Sequence, residues 1–209
     1  MGRRSILKHR KEKNKKVEQW SLSILPQLKD IDLGELTIDD LCVLLKKSKS
    51  TIYQYFTTKE EFFEYVTQIR INYLYSYKEE ITKEIFKLDY QYDNLVHILT
   101  EGTKDISSFY LRQLKKHYPT AWKIIEDFLL VLLEDFKQFY IFGIEKQIFH
   151  PIPPDLLITM DLCFIMELIK GDIFFGKTKE TLESTIKDYI LLKFEGLKNT
   201  PANKNLQGY

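Results

Sequence analysis

Between Thr37 and Phe63 the chain offers three helix starts in 22 residues, which leaves room only for three short helices joined by tight turns. Thr37 is a good N-cap, and Ile38, Leu41, Leu44 and Leu45 follow it at the spacing of one buried helical face. After Lys46 and Lys47, Ser48 caps a second helix whose Ile52 and Phe56 share a side. A third helix opens at Thr58-Lys-Glu-Glu. There a capping box is expected, with the Thr58 hydroxyl accepting from the Glu61 amide and the Glu61 carboxylate returning the bond.

With Ile52 and Phe56 turned inward, the middle helix leaves a basic, hydroxyl-rich set, Lys49, Ser50, Thr51, Tyr53 and Gln54, for its other faces, and Lys47, Ser48 and Tyr55 are further candidates to touch DNA. Those residue types suit phosphate and base-edge contacts, and the N-terminal turn of such a helix is where a recognition helix meets base edges in the major groove. Lys59 opens the next helix within reach of a phosphate. The bland alternative, a solvated charged face, stays open on the lysines alone.

Thr37-Ile-Asp-Asp-Leu, Ser48-Lys-Ser-Thr-Ile-Tyr-Gln-Tyr-Phe56 and Lys59-Glu-Glu-Phe-Phe63 together resemble, in order and spacing, the second, third and fourth helix signatures of the tetracycline-repressor (TetR) family of bacterial regulators. The resemblance implies an all-α fold, with an N-terminal helix-turn-helix DNA-binding domain and a C-terminal helical ligand-binding and dimerisation domain. It also implies a homodimer on a palindromic duplex operator, released by a small-molecule effector. By position, Thr37, Thr51, Tyr53, Tyr55 and Lys59 fall where family members touch DNA. The expected division is 1–58, 59–198 and a tail from 199 to 209. Repression is the family's usual mode, with activation as the alternative.

Three departures from the family pattern carry their own expectations. Lys46-Lys47 stands where the family has Gly-Val, so the turn lacks glycine's ease at positive φ. Pro26 falls inside the first helix and predicts a kinked or shortened element. The glycine before Thr37 sits at Gly34 rather than two residues earlier, so that connection is atypical.

Charge supports a polyanionic partner. Residues 1–16 hold eight Lys or Arg against Glu12 alone, a charge of +7 in a chain whose net charge is +1. A basic arm that includes Arg3 and Arg4 would add phosphate or minor-groove contacts, or be a solubilising tail. There is no apolar run of membrane-spanning length and no signal-peptide pattern, so a cytoplasmic protein is expected. Cys42 and Cys163 read as buried reduced thiols. The histidines at 9, 97, 117 and 150 lack ligand spacing, so neither metal nor cofactor is expected.

Beyond Phe63 the pattern predicts helices over 59–87, 92–117, 120–146, 155–175 and 179–198, with breaks at Asp89 to Asp93, Tyr118-Pro119, His150 to Pro154 and Gly176. Residues 62–142 hold 18 of the chain's 29 aromatic residues. Tyr73, Tyr77, Phe109, Tyr110, Trp122, Phe128, Phe136 and Tyr140 are candidates to line a site for a flat or apolar ligand, the other reading being plain core. Residues 155–175 are apolar on nearly every side and have to be covered twice. Leu156, Met160, Phe164, Leu168, Ile186, Tyr189, Ile190 and Phe194 are therefore candidates for a dimer interface resembling the family's four-helix bundle, against packing wholly within one chain. A helical small-molecule-binding protein or enzyme without a DNA role is the competing class. It lacks a nucleophile with its base, a phosphate-cradling loop or a metal spacing, so no catalytic residue is nominated.

Overall fold

Asn14 starts the ordered helices by accepting hydrogen bonds from the amides of Lys16 at 3.1 Å and Val17 at 3.2 Å, which caps α1 (Lys15–Leu22). The computed structural model describes residues 10–83, 88–170 and 181–199, and the side chains within these except 77–83 and 88–91. As Pro26 requires, α1 stops early. A 3-10 turn, Leu25–Gln27, takes over with the proline in its first turn, where no amide is needed. There follow α2 (Ile38–Leu45), α3 (Lys49–Tyr53), α4 (Lys59–Lys83), α5 (Leu88–Thr103), α6 (Ser108–His117), α7 (Pro119–Glu145), α8 (Pro154–Lys170) and α9 (Leu182–Leu197). Among the described residues the fold is all-α, with a single isolated bridge between Phe149 and Lys198.

Two expected boundaries are corrected. Residues 89–93 lie inside α5, where the Tyr92 ring stacks on Phe194 with centroids 3.8 Å apart. The segment 92–117 is two helices rather than one. Asp105 turns into the left-handed region at φ 61°, and Ser107 caps α6 by accepting from the Tyr110 amide at 3.0 Å. Gly102, Asp105 and Ser107 are stop and start residues that an apolar count over the window overlooks. The expected break at Gly176 lies outside the described residues.

The buried side chains form two clusters. One joins Val17, Leu28, Leu33, Leu41, Leu45, Ile52, Phe56, Phe62 and Phe63 to Tyr110, Leu114, Tyr118 and Trp122 and on to Leu168 and Ile186, so the short N-terminal helices are packed onto α6 and α7. The other gathers Leu74, Ile98, Phe136, Phe139, Phe149 and Phe194 between α4, α5, α7 and α9. Gly143 on α7 is needed where it stands, because a Cβ there would lie 2.1 Å from the Phe149 ring. After that contact the chain pairs His150 N–H to Leu197 O at 2.9 Å and Asn199 N–H to Ile148 O at 2.7 Å, which ties the end of α9 to the end of α7.

Candidate nucleic-acid interface

Thr37 and Asp40 close a full capping box on α2: the Asp40 amide donates to Thr37 Oγ1 at 3.1 Å, and the Thr37 amide to Asp40 Oδ2 at 2.8 Å. Bonds from the Thr37 hydroxyl and then its amide hold the Asp40 carboxyl below its ordinary value. The turn after α2 is a Schellman arrangement, with Lys47 N–H to Cys42 O at 3.0 Å and Lys46 N–H to Val43 O at 3.1 Å. Lys46 takes the glycine-like position at φ 51°, ψ 44°. The missing Gly-Val therefore leaves a normal turn made by a strained residue.

Ser48 caps α3 by accepting from the Thr51 amide at 3.1 Å, and the two hydroxyls lie 2.8 Å apart. Ile52 and Phe56, each 1% exposed, anchor the inner side of this single turn and a half of helix. Its outer side presents Ser48, Lys49, Ser50, Tyr53 and Gln54 to solvent. Lys49 is held over the start of α2 by Asp39 at 2.9 Å, and that bond raises its pKa above the ordinary lysine value.

Glu61 ties these pieces together in a way the sequence pattern does not anticipate. Its amide does donate to Thr58 Oγ1, at 3.1 Å, but its carboxylate reaches one residue further than the expected capping box and accepts from the amide of Thr57 at 2.7 Å. The same carboxylate takes Arg10 at 2.9 Å and Lys13 at 3.1 Å. Burial pushes the Glu61 carboxyl up, yet the bonds from Thr57 and Lys13 together outweigh it and leave the pKa below the ordinary value. Lys13 lies 4.9 Å from both the Phe56 and Tyr65 ring centroids, and the Lys11 amide donates to Gln54 O at 3.1 Å. The described end of the basic arm is thus fastened beside α3.

The loop between α1 and α2 is held from the other side. Tyr118 Oη donates to Leu33 O at 3.1 Å, Lys59 Nζ to Leu36 O, and Ser107 Oγ to Lys29 O. Gly34 sits against His117 so closely that a Cβ would lie 2.5 Å from the imidazole, which accounts for a glycine at this position.

No protein-family model and no curated relative matches the sequence. Solved structures do. The TetR-family transcriptional regulator PfmR from Thermus thermophilus superposes with a TM-score of 0.62 at 16% identity, over 87% of this chain and 100% of that one. The ketosteroid transcriptional regulator KstR2 of Mycobacterium tuberculosis gives 0.63 at 14%, over 91% and 99%. The fatty acid degradation regulator FadR from Bacillus halodurans gives 0.59 at 16%, over 90% and 98%. This chain has the TetR fold.

Within the TetR fold, the nominated DNA-facing residues divide. Ser48, Lys49, Ser50, Tyr53 and Gln54 share the exposed side of α3, and Thr37 is exposed at the start of α2. Lys47 and Thr51 are half-buried. Tyr55 turns inward, with its ring 6.2 Å from Trp20, and the Lys59 ammonium is spent in part on Leu36 O. Tyr55 shares a helical face with Ile52, so its burial was readable from spacing. Arg3 and Arg4 lie outside the described residues.

Three of the residues nominated for an aromatic chamber share a cavity whose wall is mainly aliphatic. A cavity of about 110 Å3 lies between α4, α5, α6, α7, α8 and the start of α9, and of the nominees only Tyr110, Trp122 and Phe128 line it. Tyr73 is 47% exposed, and Phe109 borders a separate groove beside Lys29 and Thr181. The Tyr77 side chain lies outside the described residues. Phe136 and Tyr140 stand in the second cluster around a buried polar group: Asp161 accepts from Tyr140 at 2.8 Å, Tyr189 at 2.9 Å and Lys193 at 2.6 Å. Burial, and then Asp161, raise both tyrosine pKa values. An acid set amid the apolar run of α8 was the available signal for this group.

The nominated interface residues also divide. Leu168, Ile186, Ile190 and Phe194 are buried in the chain's own core, and Phe164 stacks on Tyr189 at 3.7 Å. Leu156 and Met160 remain exposed, joined on the same two helices by Leu162, Met166, Leu191 and Leu192. Cys163 is exposed among them rather than buried as expected, while Cys42 is half-buried. Among the described residues no helix is long and apolar enough to cross a membrane, and no group of three or more His, Cys, Asp or Glu could hold a metal.

Proposed function

We propose that this chain is a DNA-binding transcriptional regulator that grips a palindromic duplex operator as a homodimer and represses until a small apolar ligand enters the cavity. The observation that carries the reading is α3, a helix anchored by Ile52 and Phe56 whose capped N-terminal turn offers Ser48, Lys49, Ser50 and Tyr53 outward. The solved structures of the same fold named above are all transcriptional regulators, which favours this class over an enzyme. A regulator of this kind works in the cytoplasm, with residues 1–58 reading DNA and 59–198 sensing and pairing.

The exposed apolar stripe of Leu156, Met160 and Leu192 supports self-association through α8 and α9, since a two-fold dimer matches a two-fold operator. Selection of bound duplexes from a random pool, followed by fluorescence anisotropy at several salt concentrations, tests the proposal. A palindromic consensus bound with a steep negative salt slope is expected, along with a loss of roughly tenfold or more on Tyr53→Ala. Failure to bind any duplex at low salt removes the reading.

A further inference from the structure

The cavity wall is hydrocarbon apart from the side chains of Thr67, Arg70, Thr103 and Tyr110 and the indole of Trp122. Two of these are already satisfied: the Thr103 hydroxyl donates to Leu99 O at 2.9 Å, and the Trp122 indole N–H to Glu126 at 2.6 Å. The hydroxyls of Thr67 and Tyr110 make no hydrogen bond among the described residues and are not fully enclosed, although the two residues as a whole are only 6% and 3% exposed. Two hydroxyls left open on one cavity wall can each donate and accept a hydrogen bond, so together they mark a place for a polar head.

Arg70 adds a charge to that place. Its Nε donates to Gly102 O at 3.2 Å and its Nη2 to Glu101 O at 2.8 Å and to Lys104 O, so it caps the end of α5. Its Nη1 has no partner among the described residues, and no carboxylate contacts it. Glu101 and Asp105 act on it only at a distance, as does the Tyr110 phenol. A half-buried guanidinium whose direct partners are neutral carbonyls, with Glu101 and Asp105 acting only at a distance, favours a carboxylate over a neutral group of the same size.

We propose that the cavity takes a short aliphatic carboxylic acid, its chain among the leucines and isoleucines of α5 to α8 and its carboxylate on Arg70 and Tyr110. The inference rests on the cavity being the ligand site proposed above. Size sets the chain length: a dry 150 Å3 cavity accepts benzene, so about 110 Å3 suits on the order of four to six carbons. The scarcity of aromatic faces on the wall favours a flexible alkyl chain over a ring.

Calorimetric titration of the full chain with pentanoate and with pentan-1-ol, followed also by Trp122 fluorescence, tests this. Pentanoate is expected to bind at least about tenfold tighter than the alcohol, the usual advantage of a charge-assisted bond. Arg70→Met should abolish that preference while alcohol binding persists. Should Arg70→Met fail to fold, Tyr110→Phe, which removes one oxygen, should cut the preference severalfold, and Arg70→Lys should keep part of it. Equal binding of acid and alcohol by the unmodified protein overturns the inference and leaves the ligand reading standing. A preference that survives Arg70→Met, or an unchanged one in Tyr110→Phe, does the same. If neither probe binds, both fall together.

Discussion

Replacing Gly143 with alanine sets two effects of opposite sign against each other. Helix propensity alone favours alanine in the last turns of α7 by up to about 1 kcal/mol. The added methyl would stand 2.1 Å from Phe149 Cδ2, 2.2 Å from Cε2 and 2.8 Å from Cγ. Carbon contacts become comfortable near ~3.5 Å, so the ring has to retreat by roughly 1.4 Å. It has nowhere to go. Phe149 is 1% exposed, with Phe139 at 5.4 Å and Phe194 at 5.7 Å, and its own amide is bonded to Gly143 O at 3.0 Å. Overpacking of this kind costs about 1–3 kcal/mol, and a clash that includes the root of a ring belongs at the upper end. After allowing for propensity, the net loss is about 1–2 kcal/mol, a fall in Tm of roughly 2–8 °C for a chain of this length. Urea denaturation followed by far-ultraviolet circular dichroism measures it, and adding Phe149→Leu should recover part of the loss. A Gly143→Ala protein as stable as the original, or more so, refutes the close approach of Phe149 to α7.

Three further outcomes are expected. Lys46→Gly should stabilise by about 0.5–1 kcal/mol, because a left-handed lysine gives way to the residue made for that φ, and a lowered urea midpoint would contradict the strain. Glu61→Gln should destabilise by about 1 kcal/mol and flatten the acid limb of the stability profile. Glu61 has its carboxyl below 4.5 when folded, so its contribution is full above about pH 4.5 and is lost as pH falls through the lowered value. An identical acid limb in both proteins would show that the arm is not held by this carboxylate. Met160→Glu with Leu192→Glu, at positions 48% and 77% exposed, should yield a monomer by sedimentation with unchanged helix content, and a persistent dimer would locate the interface elsewhere.

What the sequence disclosed depended on whether the interaction was local. Thr37 with Asp40 and Ser48 with Thr51 are bonds between residues three apart, and the Ile52 and Phe56 pair is one helical turn, so the helix-turn-helix was legible in spacing. Pro26 ended α1 for the same local reason. Glu61 was placed correctly at a helix start, but its carboxylate was assigned to Thr58 when Thr57, Arg10 and Lys13 compete for it, and the last two are 51 and 48 residues away. The cavity lining was hard to read for a related reason. Counting aromatic residues does not say which of them face the cavity: that depends on how α4, α5 and α7 are rotated against one another, and along one α7 stripe within a single cluster Phe128 lines the cavity while Phe136 and Tyr140 do not. Arg70 gave a single cue, a charge amid apolar neighbours, and its role appears only once α5 is seen to end beside it.

The release step that follows from the proposed function has a bounded size and a short route. A ligand shifts a two-state equilibrium only by its difference in affinity for the two states. An acid that distinguishes them tenfold at each site of a dimer changes operator affinity by about a hundredfold, and no more. The difference has to reach α3 through what joins it to the cavity. The α4 helix carries Val66, Arg70 and Leu74 on the cavity wall and Lys59 and Glu61 at its other end, against Leu36 O and Thr57. The α6 helix carries Tyr110 and Leu114 on the wall, with Ser107 and Tyr118 at its two ends holding Lys29 O and Leu33 O. Both routes therefore converge on the loop before α2, where Gly34 lies against His117. A side chain there would disturb that junction without touching cavity or DNA face, so Gly34→Ala should weaken the coupling between acid and operator while each binds alone. Unchanged coupling, measured as the ratio of operator affinities with and without saturating acid, would place the route through α4 alone.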